Sequence, residues 1–358
     1  MRELTKAEAR RMRVVAQGLD RASRAGARDG AATGRTPAQA VRHMVAMQGQ
    51  DLPQVLRAIA IRSAPGTTLD DVRAAFDRGE IVRSWPMRGT LFAIAPDDLA
   101  VLLAWTAERI RHKSAPQRRD RGLDDATVDR ARELAVAAIA EAPRTRAQLL
   151  EVWEQAGIAT GGGRGYQLII ELALGGLAHW GPFAGAQQQL VPSALPPVPD
   201  PEAGLTRIAR RYFAAHGPAT SDDFAWWTGL TKTDARAAIA RADGLVAVSV
   251  AGEPMWVVEG ALDGVRSGVL LMPGFDELVM GYRDRSLIAS PAMMDALVPG
   301  SNGVFMPAVL VDGRAVGTWR WPPQRGKQAA SPLLDLVEQV TPTTLARVER
   351  ALEAWPHR

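Results

Sequence analysis

The sequence predicts an α+β protein: three tandem winged-helix motifs, then a small β-rich, barrel-like unit, then a C-terminal helix. Three observations predict it. Helix starts led by threonine recur along the chain, short paired apolar runs follow each of them, and beyond residue 260 the pattern shifts toward strands.

A threonine followed three residues later by Gln or Asp can satisfy the free amides of a first helical turn in both directions. Thr36-Pro37-Ala38-Gln39, Thr145-Arg146-Ala147-Gln148 and Thr220-Ser221-Asp222-Asp223 have that form, and Pro143 and Pro218 precede the second and third at the same offset. Runs reading as strand pairs follow: 81–84 with 90–94, 177–183 with 188–191, and 245–250 with 255–258. Helices closed by a β-hairpin are the winged-helix plan. The units span 1–118, 122–192 and 202–260, cut by a charge-dense linker at 113–122 and by 193–201, which holds four prolines. The last unit, 261–358, carries strands at 269–272, 305–311 and 315–321, a hairpin turn at Val311-Asp312-Gly313-Arg314, and a helix over 342–355 opened by Thr343 or Thr344.

Composition narrows the chemistry. With 358 residues, of which 47% are hydrophobic and 23% charged, the chain is long enough to bury a sizeable core. Its net charge of +4, rich in arginine, suits a face that meets a polyanion. The absence of cysteine excludes disulfides, thiolate metal sites and cysteine nucleophiles. His43, His112, His179, His216 and His357 show no metal-ligand spacing, so no metal is expected. Gly161-Gly162-Gly163-Arg164-Gly165 lacks the Lys-Ser/Thr ending of a phosphate loop and reads as a turn before a helix, so no cofactor is expected. There is neither an apolar core of signal-peptide length nor a bilayer-length apolar run, which points to the cytoplasm and to no membrane partner.

Val41, Met44 and Val45 recur at helical spacing, which predicts a helix over 37–47 whose continuation reaches Gln48 and which Gly49 breaks. Pro53 favours a second helix from near Leu52, with Val55, Leu56 and Ile59 buried. Gln48, Gln50 and Asp51 therefore occupy a tight junction. A purely architectural alternative has Gln48 and Asp51 capping the two helices and Gln50 solvated. In Trp85-Pro86-Met87-Arg88-Gly89-Thr90, Arg88 can reach a phosphate and Gly89 can permit a hairpin turn; the alternative has Trp85 and Met87 packing while Arg88 pairs with Asp97 or Asp98. In the run 273–286, Asp276 and Glu277 read as a salt-bridged junction, and Arg283 and Arg285 as phosphate contacts. Trp226 and Trp227 read as core, while Trp319 and Trp321 alternate as strand residues do.

Met47-Gln48-Gly49-Gln50-Asp51, Ser84-Trp85-Pro86-Met87-Arg88-Gly89-Thr90-Leu91, and Pro273-Gly274-Phe275-Asp276-Glu277-Leu278 with Gly281-Tyr282-Arg283-Asp284-Arg285-Ser286 resemble, in order and spacing, the three signatures of the winged-helix family containing the AlkZ and YcaQ glycosylases. His216-Gly217-Pro218-Ala219-Thr220 is also typical of it, and the likeness covers nearly the whole chain. Gln48-Gly49-Gln50 matches the Gln-aliphatic-Gln tripeptide of the AlkZ-like branch at both ends. The resemblance implies a monofunctional DNA N-glycosylase acting on bulky N7- or N3-alkylated purines, in DNA repair or antibiotic self-resistance, with interstrand cross-links within its range. Gln48 and Gln50 would be catalytic, Asp51 would support them, and Arg88, Thr90, Arg283 and Arg285 would bind DNA. The expected partner is double-stranded DNA carrying alkylated purines, met by a monomer in the cytoplasm at the nucleoid. Two departures stand out: Gly49 replaces an aliphatic residue and is expected to loosen the turn, and Phe92 stands where many relatives carry His. The rival from another class is a non-catalytic winged-helix regulator, which would dimerise on paired half-sites.

Overall fold

The computed structural model describes residues 1–20, 34–261, 268–322 and 331–357. In chain order these form β1 (Arg2–Leu4), α1 (Lys6–Ala16), α2 (Pro37–Met44), β2 (Ala46–Gln48), α3 (Leu52–Ala60), α4 (Leu69–Asp77), β3 (Val82–Met87), β4 (Thr90–Ile94) and α5 (Pro96–Asp120). There follow α6 (Asp125–Glu141), α7 (Arg146–Gln155), α8 (Arg164–Leu174), β5 (Ala178–Ala184), β6 (Gln187–Pro192), α9 (Pro201–His216), α10 (Ser221–Thr228), α11 (Lys232–Arg241), β7 (Leu245–Val250) and β8 (Glu253–Val258). The remainder is β9 (Val269–Met272), α12 (Glu277–Met280), α13 (Pro291–Leu297), β10 (Ala308–Val311), β11 (Arg314–Arg320), β12 (Leu333–Leu336) and α14 (Pro342–Glu353). The chain is α+β.

All three threonine starts form reciprocal capping boxes: Thr36 with Gln39, Thr145 with Gln148, and Thr220 with Asp223. Thr5 with Glu8 and Thr68 with Asp71 do the same. The three expected hairpins pair as β3–β4, β5–β6 and β7–β8. In the first, Arg88 and Gly89 form the turn at φ 55° and 70°, the double positive φ of a two-residue hairpin loop.

Several expectations are corrected. The helix predicted over 37–47 stops at Met44, because Val45 takes φ 68° and residues 46–48 pair antiparallel with β4. The φ 68°, ψ −59° of that valine is a sparsely populated conformation that costs a β-branched residue about 1–3 kcal/mol, offset here by complete burial of Val45 and by the strand pairing that follows. The charge-dense linker at 113–122 is instead the last two turns of α5, with Pro116 inside it. Its charges are a solvated face: Lys113, Arg119 and Asp120 are exposed, and Arg118 pairs with Asp125. The helix ends at Gly122, φ 62°, whose N–H donates to the Arg119 carbonyl while the Leu123 N–H donates to that of Arg118. The final helix is capped by Thr341, not by Thr343 or Thr344.

Long-range assembly goes beyond the linear plan. The first two hairpins and β2 join in one five-stranded sheet, β2-β4-β3-β5-β6, through the Arg83–Trp180 pairing. Residues 2–4, grouped by sequence with the first unit, lie parallel to β7. The largest apolar core runs from Val45 to Tyr282 without a break between segments, and includes Trp85, Trp153 and Trp227. In the C-terminal region β9, β10, β11 and β12 form an antiparallel sheet paired in that order, with no closing pair of β12 with β9 among the described residues. No helix among the described residues is long and apolar enough to cross a membrane, and they hold no group of side chains arranged to ligate a metal.

Candidate active site

The turn between β2 and α3 is held from several sides. Strand β4 supplies the first contacts: the Gly49 N–H donates to the Leu91 carbonyl at 2.7 Å, and the Leu91 N–H points to Gln50 Oε1 at 3.4 Å. Gln48 Oε1 accepts from the Gly49 N–H at 3.1 Å. Both side-chain oxygens thus face backbone donors, which fixes the amide orientations. Among the described residues neither Nε2 makes a hydrogen bond, so each amide keeps its two donors and a second lone pair on oxygen. Gln48 is buried and Gln50 exposed. Asp51 caps α3, its carboxylate accepting from the Gln54 N–H at 3.1 Å. The capping reading therefore holds for Asp51 and fails for Gln48, which sits in a strand.

The third signature closes over this turn. The Gln48 N–H donates to Glu277 Oε1 at 2.7 Å, and Glu277 Oε2 accepts from Trp227 Nε1 at 3.0 Å. Arg62 donates twice to Asp276, both at 2.7 Å, and also to Gln17 Oε1. Both charges of that pair are fully buried. The Gly274 N–H donates to Gln54 Oε1, and a Cβ at Gly274 would lie 2.6 Å from the Phe305 carbonyl, so only glycine fits. Asp276 forms the expected salt bridge, whereas Glu277 spends its carboxylate on neutral N–H donors of the candidate site.

At the β3–β4 turn, α5 and the α10–α11 region border a cleft of about 1130 Å³ lined by Arg88, Arg109, His112, Lys113, Trp226 and Arg283, among others, and by neither Gln48 nor Gln50. Trp85 and Met87 pack in the core, but the alternative pairing of Arg88 with Asp97 or Asp98 does not form, since Arg42 and Arg211 occupy those carboxylates. The Arg88 guanidinium lies 4.3 Å from the Trp226 ring centroid and 5.3 Å from that of Phe92. Its Nε and Nη2 are buried without a hydrogen-bond partner. Burial lowers the Arg88 pKa to about 10, with Glu277 opposing the shift and Arg285 adding to it. Arg285 approaches Trp226 from 5.2 Å and donates to the Val279 carbonyl. Arg283 is exposed and pairs with Asp222, which also binds Lys232. Thr90 opens β4, its Oγ1 buried without a partner.

The fold thus gathers Gln48, Gln50, Thr90 and Arg88 around the start of β4, brings Arg285 to the Arg88–Trp226 cluster, and sets Arg283 across the cleft. Two participants escaped the sequence reading. Trp226 is half-buried, packed against the core on one side and lining the cleft on the other, while its neighbour Trp227, about 100° away around the helix, is fully buried. Arg83 donates to the Gly49 carbonyl at 3.0 Å and has its pKa lowered to about 10 by burial, and nothing in its local sequence marks it. Nor does glycine loosen the turn: Gly49 is bonded through both N–H and carbonyl, and a Cβ there would sit 3.1 Å from the Ala93 nitrogen and 3.3 Å from Arg83 Cδ. Phe92, buried, packs edge-on against Trp227.

Comparison with known proteins places the chain by fold and family. A solved structure, the Streptomyces sahachiroi DNA glycosylase AlkZ, superposes with a TM-score of 0.78 over 97% of this chain and 95% of its own, at 20% sequence identity, which establishes likeness of fold. A curated relative described as an interstrand DNA cross-link repair glycosylase, also from Streptomyces sahachiroi, is 24% identical over 67% of this chain and 70% of its own length. The profile of the family described as DNA glycosylase AlkZ-like matches residues 41–357, and the chain belongs to that family.

Proposed function

We propose that this chain is a monofunctional DNA glycosylase that hydrolyses the N-glycosidic bond of bulky N7- or N3-alkylated purines in double-stranded DNA, acts as a monomer, and takes part in alkylation repair or antibiotic self-resistance, with unhooking of interstrand cross-links in its range. Its place is the cytoplasm, at the nucleoid. The three helix–hairpin segments, 1–118, 122–192 and 202–260, are its winged helices, and 261–358 is the β-rich unit with a terminal helix that adds Arg283 to the cleft. The observation that carries this reading is the state of Gln48 and Gln50: each has its side-chain carbonyl facing a backbone N–H and its Nε2 unoccupied among the described residues.

Alkylation at N7 or N3 makes the base a cation, so the leaving group is activated before the enzyme binds. No strong general acid is then needed. Departure of the base develops oxocarbenium character on the sugar, and the remaining task is to place a water against the anomeric carbon. Two amides on one fixed turn can accept a hydrogen bond from a water and donate to a sugar or phosphate oxygen at once; the cationic base leaves as a neutral purine, and the proton lost by the added water passes to solvent. Asp51, committed to the α3 cap, supports the backbone of that turn. Arg88, with free buried donors, and Arg283, Arg285 and Thr90 take the phosphate backbone.

The decisive experiment is base release from DNA carrying N7-alkylguanine, with and without protein. Release is expected from cationic alkylpurines, while uracil, hypoxanthine and undamaged guanine stay intact on long incubation; efficient uracil release would sink the two-amide chemistry. DNA affinity is also expected to fall steeply with salt. Arg88→Ala and Arg283→Ala each reduce the slope of log affinity against log salt by about one if they meet phosphates. Unchanged slopes in titrations from low to physiological salt place both residues in the protein scaffold alone.

A further inference from the structure

The Gln48-Gly49-Gln50 backbone is gripped by two charged side chains that come from different parts of the fold. On one side the buried Glu277 carboxylate accepts the Gln48 N–H at 2.7 Å; on the other Arg83 donates to the Gly49 carbonyl at 3.0 Å. Hydrogen bonds with one ionised partner are shorter and roughly twice as strong as neutral ones. The two sit on consecutive residues, from strand β3 and from the 273–280 segment respectively.

We propose that Arg83 and Glu277 are positioning residues for the reaction proposed above, a pair of opposite charges that fixes the tripeptide so that the two glutamine amides converge on one water.

Each half has independent support. Glu277 is anchored by the Trp227 indole N–H at 3.0 Å, and Trp227 itself packs edge-on against Phe92, the residue opposite Gln48 in the sheet. The carboxylate therefore relays the position of the core to the turn. His216 Nε2, 3.6 Å from the same oxygen and without a hydrogen-bond partner, completes its surroundings together with Arg88, whose charge acts on it. A Cβ at position 49 would stand 3.1 Å from the Ala93 nitrogen, 3.2 Å from the Phe92 carbonyl carbon and 3.3 Å from Arg83 Cδ, so a side chain there would have to displace β4 or the Arg83 stem by a few tenths of an ångström.

The inference rests on the glycosylase reading, and its test keeps the two apart. Single-turnover base release from N7-methylguanine DNA is measured for the wild type, Arg83→Met and Glu277→Gln, with DNA affinity measured separately and with hydrogen exchange of residues 46–51 as a readout independent of activity. Arg83→Met keeps the apolar stem and removes the donor. Glu277→Gln keeps the shape but turns one oxygen into an NH2 group, so it can serve either the Gln48 N–H or the Trp227 N–H and not both. Both variants are expected to release base about tenfold more slowly, or worse, because small misplacement of reacting groups is expensive. DNA affinity stays within about twofold of wild type, since neither residue is asked to touch DNA, and the 46–51 amides exchange faster. Should Glu277→Gln fail to fold, Arg83→Met carries the test alone. Wild-type rates with unchanged exchange overturn the proposal, as does a loss of affinity that accounts for the slower rate. A wild type that releases no base overturns the glycosylase reading itself, before any variant is compared.

Discussion

Alanine at Gln48 or at Gln50 is expected to lower base release from N7-alkylguanine DNA by roughly a hundredfold or more, about 2.7 kcal/mol of transition-state stabilisation. The two substitutions differ in their side effects. Gln50 is exposed and its side chain makes one long contact, to the Leu91 N–H at 3.4 Å, so Gln50→Ala leaves stability within about 0.5 kcal/mol. Gln48 is buried, but its side chain only shares the Gly49 N–H with the Leu91 carbonyl, so its loss leaves that donor bonded and costs about 1–2 kcal/mol. Single-turnover rates beside denaturant unfolding curves separate the two effects. Turnover that falls only in proportion to the folded fraction would leave the glutamines structural and favour a non-catalytic DNA-binding protein.

The largest loss of stability is expected at Asp276. Asp276→Ala leaves the Arg62 guanidinium in a site from which water is excluded, and stranding one member of a buried pair costs about 3–5 kcal/mol. The same carboxylate accepts the Leu278 N–H at the start of α12, so the helix that presents Glu277 loses its cap as well. Arg62 also holds Gln17, which ties residues before position 20 into the network. Urea unfolding, read as a shift of midpoint at constant slope, measures the cost. A loss near that of an exposed pair, below about 1 kcal/mol, would mean that water reaches Arg62 in the folded protein.

Much of the local plan was legible along the chain. Capping at Thr36, Thr145 and Thr220 depends on residues three apart, and the hairpins depend on apolar runs joined by short turns, so neighbours alone determine them. Gln48, Gln50 and Asp51 were identifiable as a junction for the same reason, although the conformation around them was not. Helical spacing carried the predicted helix through Val45, because periodicity registers which side chains are apolar and not which backbone torsions are strained. Charge density likewise suggested a linker at 113–122 where α5 continues, since a solvated helix face and a loop have the same composition.

Neighbouring residues along the chain were enough for the class of fold, the order of helices and hairpins, the capped starts and the three motifs whose resemblance pointed to the glycosylase family. Tertiary structure alone decided that β1 lies beside β7, that the first two hairpins share one sheet, that Asp276 meets Arg62, and that Glu277 and Arg83 hold the glutamine turn. The physical reason is separation along the chain: Gln48 and Glu277 lie 229 residues apart, and Gly49 and Arg83 lie 34 apart. A hydrogen bond across such a distance leaves no local periodicity, and it forms only once a shared core around Trp85 and Trp227 has brought the elements together.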